Sequence, residues 1–153
     1  MTMRNPEQTI GNLIDKQSIT YLSSVDEDGY PQTKAMLAPR KREGIAVFYL
    51  TTNTSAKATE RFKKTSKACL YFCNRRFFRG VTLTGNVRVL TDQQSKDMLW
   101  EPGDERYYPQ GPADPDYCVL QFTAHTGRYY SNFKKEDFSI ALPVNLEKQL
   151  KEK

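Results

Sequence analysis

Apolar and polar positions alternate through most of this chain, and helical spacing appears in only a few short stretches. Between residues 78 and 90, Val81, Leu83, Val87 and Val89 share one face while Thr82, Thr84, Asn86 and Arg88 share the other. That two-residue period predicts a strand packed on one side. SITYLSSV, YPQTKAML and KACLYFCN also read as strands, and Pro31 near the start of the second suits a strand end rather than a sheet centre. GIAVFYLTT is apolar on both faces, as for a barrel stave packed against a helix or a second subunit. DYCVLQFTA and a further run, GRYYSNF, close the sheet. Helical spacing joins Ile10, Leu13 and Ile14 behind Asn5-Pro6, a cap and a first-turn proline. NTSAKATERFKK predicts a second helix capped by Thr54 or Ser55, and Thr91 with Gln94 resembles a capping box for a short third one ending near Trp100.

The links at 26–29, 40–44 and 74–78 are too short for parallel crossovers, so neighbouring strands run antiparallel. About six strands in that order, with short helices, predict a mainly β chain: a small antiparallel β-barrel of Greek-key type. It occupies residues 1–140 as one domain, followed by a charged tail over 141–153. The stretch 101–116, rich in Pro, Gly and Asp, reads as a long ordered loop or lid.

Composition removes several kinds of chemistry. Three cysteines, Cys69, Cys73 and Cys118, form no C-x-x-C, and Cys69 and Cys73 lie too far apart along one strand to pair. A single histidine, His125, gives no cluster for a structural zinc or a two-histidine iron site. Gly80 and Gly85 have P-loop spacing, but Asn86-Val87 follows where Lys-Ser/Thr is required. Neither G-x-S-x-G nor G-x-G-x-x-G occurs. The net charge of +5 favours an anionic partner. With no apolar run near 18 residues and no signal-peptide stretch, a cytoplasmic protein is expected.

An anion site is suggested by FYLTTNTSAKATERF. Strand residues Thr51-Thr52 lead through a turn into a helix opening near Ser55, with Lys57 in its first turn. Hydroxyls, free backbone amides and an ammonium converge there, as a phosphate requires. An ordinary capped helix with a solvated lysine has the same spacing. Lys34 supplies a second cation from the second strand, where a solvent-facing lysine is equally ordinary. The two features together have the look of a site.

At this point the chain resembles the FMN-binding split barrels of the pyridoxamine 5′-phosphate oxidase family, especially its general stress protein branch. The resemblance spans about residues 8–130. It rests on the order of Asp28-Gly29-Tyr30-Pro31-Gln32-Thr33-Lys34-Ala35-Met36, the Phe48-to-Lys57 segment, and Val81-Thr82-Leu83-Thr84-Gly85-Asn86-Val87. It implies a six-stranded antiparallel split barrel binding FMN at the interface of a homodimer. By position, Lys34 stands where the family reaches the FMN phosphate, and Ala35, Met36 and Leu37 border the flavin ring. Leu50, Thr51 and Thr52 match the family's strand end, and Ser55 and Lys57 its phosphate-holding Ser-x-Lys. Gly80 occupies the place of a ring-contacting glutamine, Ala56 that of an arginine and Pro39 that of a second lysine, which thins the phosphate clamp.

The resemblance implies an FMN-dependent oxidoreductase or reductase acting on a small molecule, with NADH or NADPH as electron donor. It does not imply a working pyridoxamine phosphate oxidase, because no arginine follows Arg128. Other readings stay open: a flavin- or haem-binding stress protein without turnover, or a barrel holding a deazaflavin. A nucleic-acid module is a weaker alternative, motivated by Arg75-Arg76-Phe77-Phe78-Arg79, which interleaves cations and aromatics.

Overall fold

The structure, a computed structural model, describes residues 5–143; the chain ends beyond them, including most of the predicted charged tail, lie outside the described residues. Helix α1 (Pro6–Asp15) precedes strands β1 (Ile19–Val25), β2 (Pro31–Leu37), β3 (Lys41–Glu43) and β4 (Val47–Asn53). Helix α2 (Lys57–Lys64) leads to β5 (Lys67–Asn74) and β6 (Arg79–Leu90). Helix α3 (Gln93–Leu99) and two 3₁₀ turns then precede β7 (Tyr117–Ser131) and β8 (Lys134–Ser139). The sheet runs β2-β1-β5-β6-β7-β4-β3, with β8 also on β7, and every pairing is antiparallel. The mainly β, antiparallel split-barrel class is therefore as the sequence predicts.

The strand count is eight rather than six. DYCVLQFTA and GRYYSNF are not two strands but one, β7, 15 residues long. Its register against β6 shifts between Thr84 and Gly85: Thr84 pairs with Thr126, Gly85 with Ala124, and His125 is the extra residue of a bulge. The bulge reverses the side-chain alternation, so Leu120, Phe122 and Ala124 point into the core before it and Tyr129 after it. That parity break mimics a strand boundary in the sequence. The two added strands are β3, whose basic KRE reads as a turn, and β8, only partly buried.

Helix termini depart from expectation in two places. Asn5 caps α1 as predicted, accepting the Gln8 amide at 3.1 Å. In α2, by contrast, the cap residue is Ala56 and no side chain of the helix caps it. In α3 the cap is Asp92 rather than Thr91; its carboxylate accepts both the amide and the hydroxyl of Ser95. Aspartate outcompetes the neighbouring threonine because an ionised acceptor suits the positive end of the helix.

Strand β4 is buried on both faces because its own chain covers both. Phe48 and Leu50 enter the barrel core with Leu22, Leu70, Phe72, Val81 and Leu83. Val47 and Tyr49 enter a second cluster with Leu99, Tyr108, Tyr117 and Val119. The helix alternative for this strand is met within the chain, by α3 and the segment after it. That segment, 101–116, is ordered and pinned. Arg40 donates to both oxygens of Asp104 at 3.0 and 2.8 Å and to the Leu99 carbonyl at 3.1 Å. Lys96 donates to the Asp114 carbonyl, and the Tyr117 hydroxyl donates to the Lys96 carbonyl. Burial, with Asp104 nearby, pushes the Tyr117 phenol up to about 12, which keeps it a donor. Trp100 and Tyr108 pack on Tyr117, and of the loop aromatics only Tyr107 stays exposed.

Gly85 is required where β6 meets the bulge: a Cβ there would run into the Thr123 carbonyl oxygen, a backbone atom that cannot swing away. Gly85→Ala should therefore lower stability by about 3 kcal/mol, the upper end for overpacking. Urea unfolding checks this, and a loss under about 0.5 kcal/mol would contradict the close approach. The Arg40–Asp104 pair gives a pH-dependent expectation. The Arg40 hydrogen bonds hold the Asp104 carboxyl below the usual aspartate range, against the opposing effect of burial. Its stabilisation is thus complete above about pH 4 and lost as pH falls through the lowered folded value. Arg40→Ala should cost about 3 kcal/mol at neutral pH. That deficit should shrink in unfolding curves taken below about pH 4; a deficit unchanged down to pH ~2 would contradict the pairing.

Candidate functional site

The segment expected from sequence to hold an anion spans the end of β4 and the start of α2. Asn53 to Ala56 make the turn, and the Ala56 amide closes it on the Asn53 carbonyl at 3.1 Å. Asp116, just before β7, organises this turn. One carboxylate oxygen accepts the Ser55 amide at 2.9 Å, the other accepts the Asn53 side-chain amide at 2.8 Å, and its carbonyl accepts the Thr54 amide at 2.7 Å. These donors, Asn53 foremost, hold the Asp116 carboxyl below its ordinary range. An internal carboxylate thus takes the Ser55 amide that an incoming phosphate would otherwise share. Among the described residues, the amides of Lys57, Ala58 and Thr59 have no acceptor, and they form the open first turn of α2.

Beside that turn lies a polar cleft of about 590 Å³ between α2 and the β1–β2 turn, lined by Lys57, Arg61 and Lys64 and by Asp26, Glu27 and Glu60. Most of its acids are already engaged. Asp26 accepts the amides of Asp28 and Tyr30 and the side chain of Gln32, and Glu27 pairs with Lys64. Lys57 is exposed, and Arg61, one helical turn on, reaches the Ser24 hydroxyl of β1 at 3.4 Å. Arg61 was not among the residues expected from sequence, although its i, i+4 spacing from Lys57 on one helix face is the signal that finds it. Asp116 had no such signal, since it lies some 60 residues away in sequence.

Lys34 belongs to the same side of the sheet. It pairs with Leu22, and Gln32 with Ser24, so these side chains share the face on which α2 packs. Ala35 pairs with Tyr21 and Leu37 with Ile19, which puts them on the opposite, outer face. There Ile19, Tyr21, Thr33, Cys69 and Tyr71 line a second concavity of about 850 Å³. Strand β2 borders the second hollow through Pro31 and Thr33. It is an edge strand, exposed along almost its whole length, and its free backbone edge offers donors and acceptors to a ligand. Met36 lies opposite Thr20, whose buried hydroxyl has no partner among the described residues.

The remaining candidates are placed less openly. Thr51 is half-buried on the second-cluster face of β4 and Thr52 is buried beneath it, while the Leu50 side chain lies in the barrel core. Leu50 can offer a ligand only its backbone. Gly80 lies under two tyrosines: a Cβ built on it would sit 2.6 Å from the Tyr130 hydroxyl and 2.8 Å from that of Tyr71. These hydroxyls bond to each other, and burial with that bond pushes the Tyr71 phenol up. The space of the family's glutamine is thus filled by protein. The structure brings Lys57 and the unexpected Arg61 around one cleft, leaves Ser55 in the turn before it and turns Lys34 toward the same side. Ala35 and Leu37 share the outer face of β2 with Thr33, which lines the other hollow, and Leu50 and Gly80 reach neither hollow with a side chain.

The geometry has known counterparts. The pyridoxamine 5′-phosphate oxidase family model matches residues 7–131. No functionally curated protein matches the chain. Among solved structures, a Clostridium acetobutylicum protein related to general stress protein 26 of Bacillus subtilis is 42% identical; the match covers 88% of this chain and 94% of that one, at a TM-score of 0.81. An FMN-binding, pyridoxamine 5′-phosphate oxidase-related protein of Nostoc punctiforme shares the fold at 11% identity, covering 93% and 100% of the two chains at 0.63. A heme binding protein of Mycobacterium smegmatis shares it at 10% identity, covering 91% and 60% at 0.71.

Proposed function

Because the chain belongs to the pyridoxamine 5′-phosphate oxidase family, we propose that it binds FMN and works as a flavin-dependent reductase on a small molecule. The observation that carries this reading is the cleft at α2. A phosphate monoester brings about −1.5 to −2 charge. Lys57, Arg61 and the open amides of the first turn answer that charge, with Lys34 on the same side. Ser55 gives its amide to Asp116, and its hydroxyl also bonds that carboxylate, so a phosphate would have to draw the hydroxyl away from it. The free edge of β2 supplies hydrogen-bonding groups for a ring, with Ala35 and Leu37 as its apolar neighbours. Bound FMN supplies two-electron redox chemistry; the chain's part is to hold, orient and shield the ring.

A second copy of the chain completes the site in this reading. The two-faced strand β4 is no longer an argument for one, since its own chain covers it. The argument moves to β2, an exposed edge strand bearing Ala35 and Leu37 and preceded by the exposed Tyr30, which leaves a ring laid against it open on its far side. FMN is favoured over haem by the phosphate cleft and by His125, the one histidine, which is already bonded to Asn86. Electrons then pass from NADH or NADPH to a small acceptor in the cytoplasm.

Two measurements test this. Removing one charge-assisted phosphate contact costs about 1.5–3 kcal/mol, roughly ten- to a hundredfold in affinity. In titrations of flavin fluorescence, Lys57→Ala and Lys34→Ala should weaken FMN binding by that much and leave riboflavin unchanged. Lys16→Ala, on an exposed helix end, should alter neither; equal FMN affinity in all three variants would refute the assignment. FMN-loaded protein given pyridoxamine 5′-phosphate and oxygen should form no pyridoxal 5′-phosphate at an enzyme-like rate. Turnover on the order of 0.1 s⁻¹ or faster would overturn the reductase reading.

A further inference from the structure

Two turns stand side by side at one end of the sheet because Arg79 of β6 pairs with Ser131 of β7. The β5–β6 turn carries Phe77 and Phe78, 56% and 66% exposed, and the β7–β8 turn carries Phe133, 93% exposed. The Phe78 ring lies 6.5 Å from that of Phe133 and 5.9 Å from that of Tyr130, so the turns share one aromatic tip. All the non-glycine residues with positive φ among the described residues are here: Phe78 at 49°, Asn132 at 51° and Phe133 at 68°. Bulky side chains are disfavoured in that region, and glycine would relieve the strain. Two phenylalanines nonetheless occupy it, and their rings face solvent.

The two turns themselves carry cations and no acid; the nearest acids in sequence, Glu136 and Asp137, lie further along β8. Arg75, Arg76 and Lys134 are exposed beside the rings, and the Arg76 guanidinium lies 5.3 Å from the Phe77 ring centre. Neither NRRFFR (74–79) nor SNFKK (131–135) contains an acid. The salt bridges among the described residues use other cations, Arg40, Arg42, Lys64 and Arg128. Apolar rings at the apex of the turns with several cations alongside match an anionic surface with an apolar interior beneath it. Single-stranded nucleic acid fits less well, because the rings are inclined by 34° and 54° to their neighbours and form no flat platform in a groove.

We propose that this paired-turn tip, with Phe78 and Phe133 at its apex, docks the protein on an anionic phospholipid surface. The contact is peripheral; no helix of the described residues is long and apolar enough to cross a membrane. Phe78, Phe133, Arg76 and Lys134 line neither the α2 cleft nor the second hollow, whereas Arg75 lines the second hollow.

Full-length protein is sedimented with vesicles of phosphatidylcholine alone or with one-third phosphatidylserine. Wild type should pellet with the anionic vesicles at least about tenfold more than with neutral ones, and high salt should release it. Phe78→Gly/Phe133→Gly should lose the binding without a lower melting temperature, because glycine suits both backbone positions. Arg76→Glu/Lys134→Glu should lose it as well. Equal pelleting with neutral vesicles, or full binding by either double variant, would overturn the proposal. So would failure to bind vesicles accompanied by phenylalanine-dependent self-association in sedimentation velocity, or by binding of single-stranded RNA.

Discussion

One strand has to serve two neighbours along the same edge, and the remainder of the architecture follows from how it does so. β7 pairs with β6 along its length on one side. On the other it pairs first with β4, through residues 117–123, and then with β8, through 126–131. A regular strand could not point its apolar side chains inward over both halves while also bending. The extra residue at His125 resets the alternation, and Gly85 lets the backbones approach at that point. Above the bulge β7 places Leu120 and Phe122 in the barrel core and Tyr117 and Val119 in the second cluster; below it, the strand leads into the paired turns. The same strand is preceded by Asp116, so its start also sets the turn that opens α2.

That coupling explains why the candidate site mixes charges. A helix N-terminus attracts anions, and here the chain supplies one of its own to shape the turn. Asp116 takes the Ser55 amide and the Asn53 side chain, leaving the amides of the first helical turn and the cations Lys57 and Arg61 to a ligand. Asp26 and Glu27 line the cleft too, but are held by the β1–β2 turn and by Lys64. Under the proposed reading, the cations Lys57, Arg61 and Lys63 outweigh the remaining lining acid, Glu60.

Local patterns were legible where a single element decided them. The alternation of β6, the Asn5-Pro6 start of α1 and the short links that force antiparallel pairing all read directly from the residues. What escaped depends on partners distant in the chain. The β7 bulge broke a periodicity and mimicked a boundary, and β3 and β8 are short or polar edge strands with little alternation to show. The second face of β4 read equally as a helix contact or a subunit contact, and only α3 and the 101–116 segment folding over it decide between them. Ser55, Lys57 and Lys34 were visible as residue types beside a strand end or in an extended run. Asp116, which shapes their surroundings, was invisible, and the tyrosine pair over Gly80 arises from strands 59 residues apart.

The central claim is that this family member uses its α2 cleft for FMN rather than for another pigment. The most direct measurement presents the purified protein with FMN and haemin together in slight excess, removes unbound ligand by desalting, and records the visible absorption spectrum. The account predicts the paired visible bands of a bound flavin at about one per chain. A sharp Soret band, or a protein that emerges colourless, would contradict it.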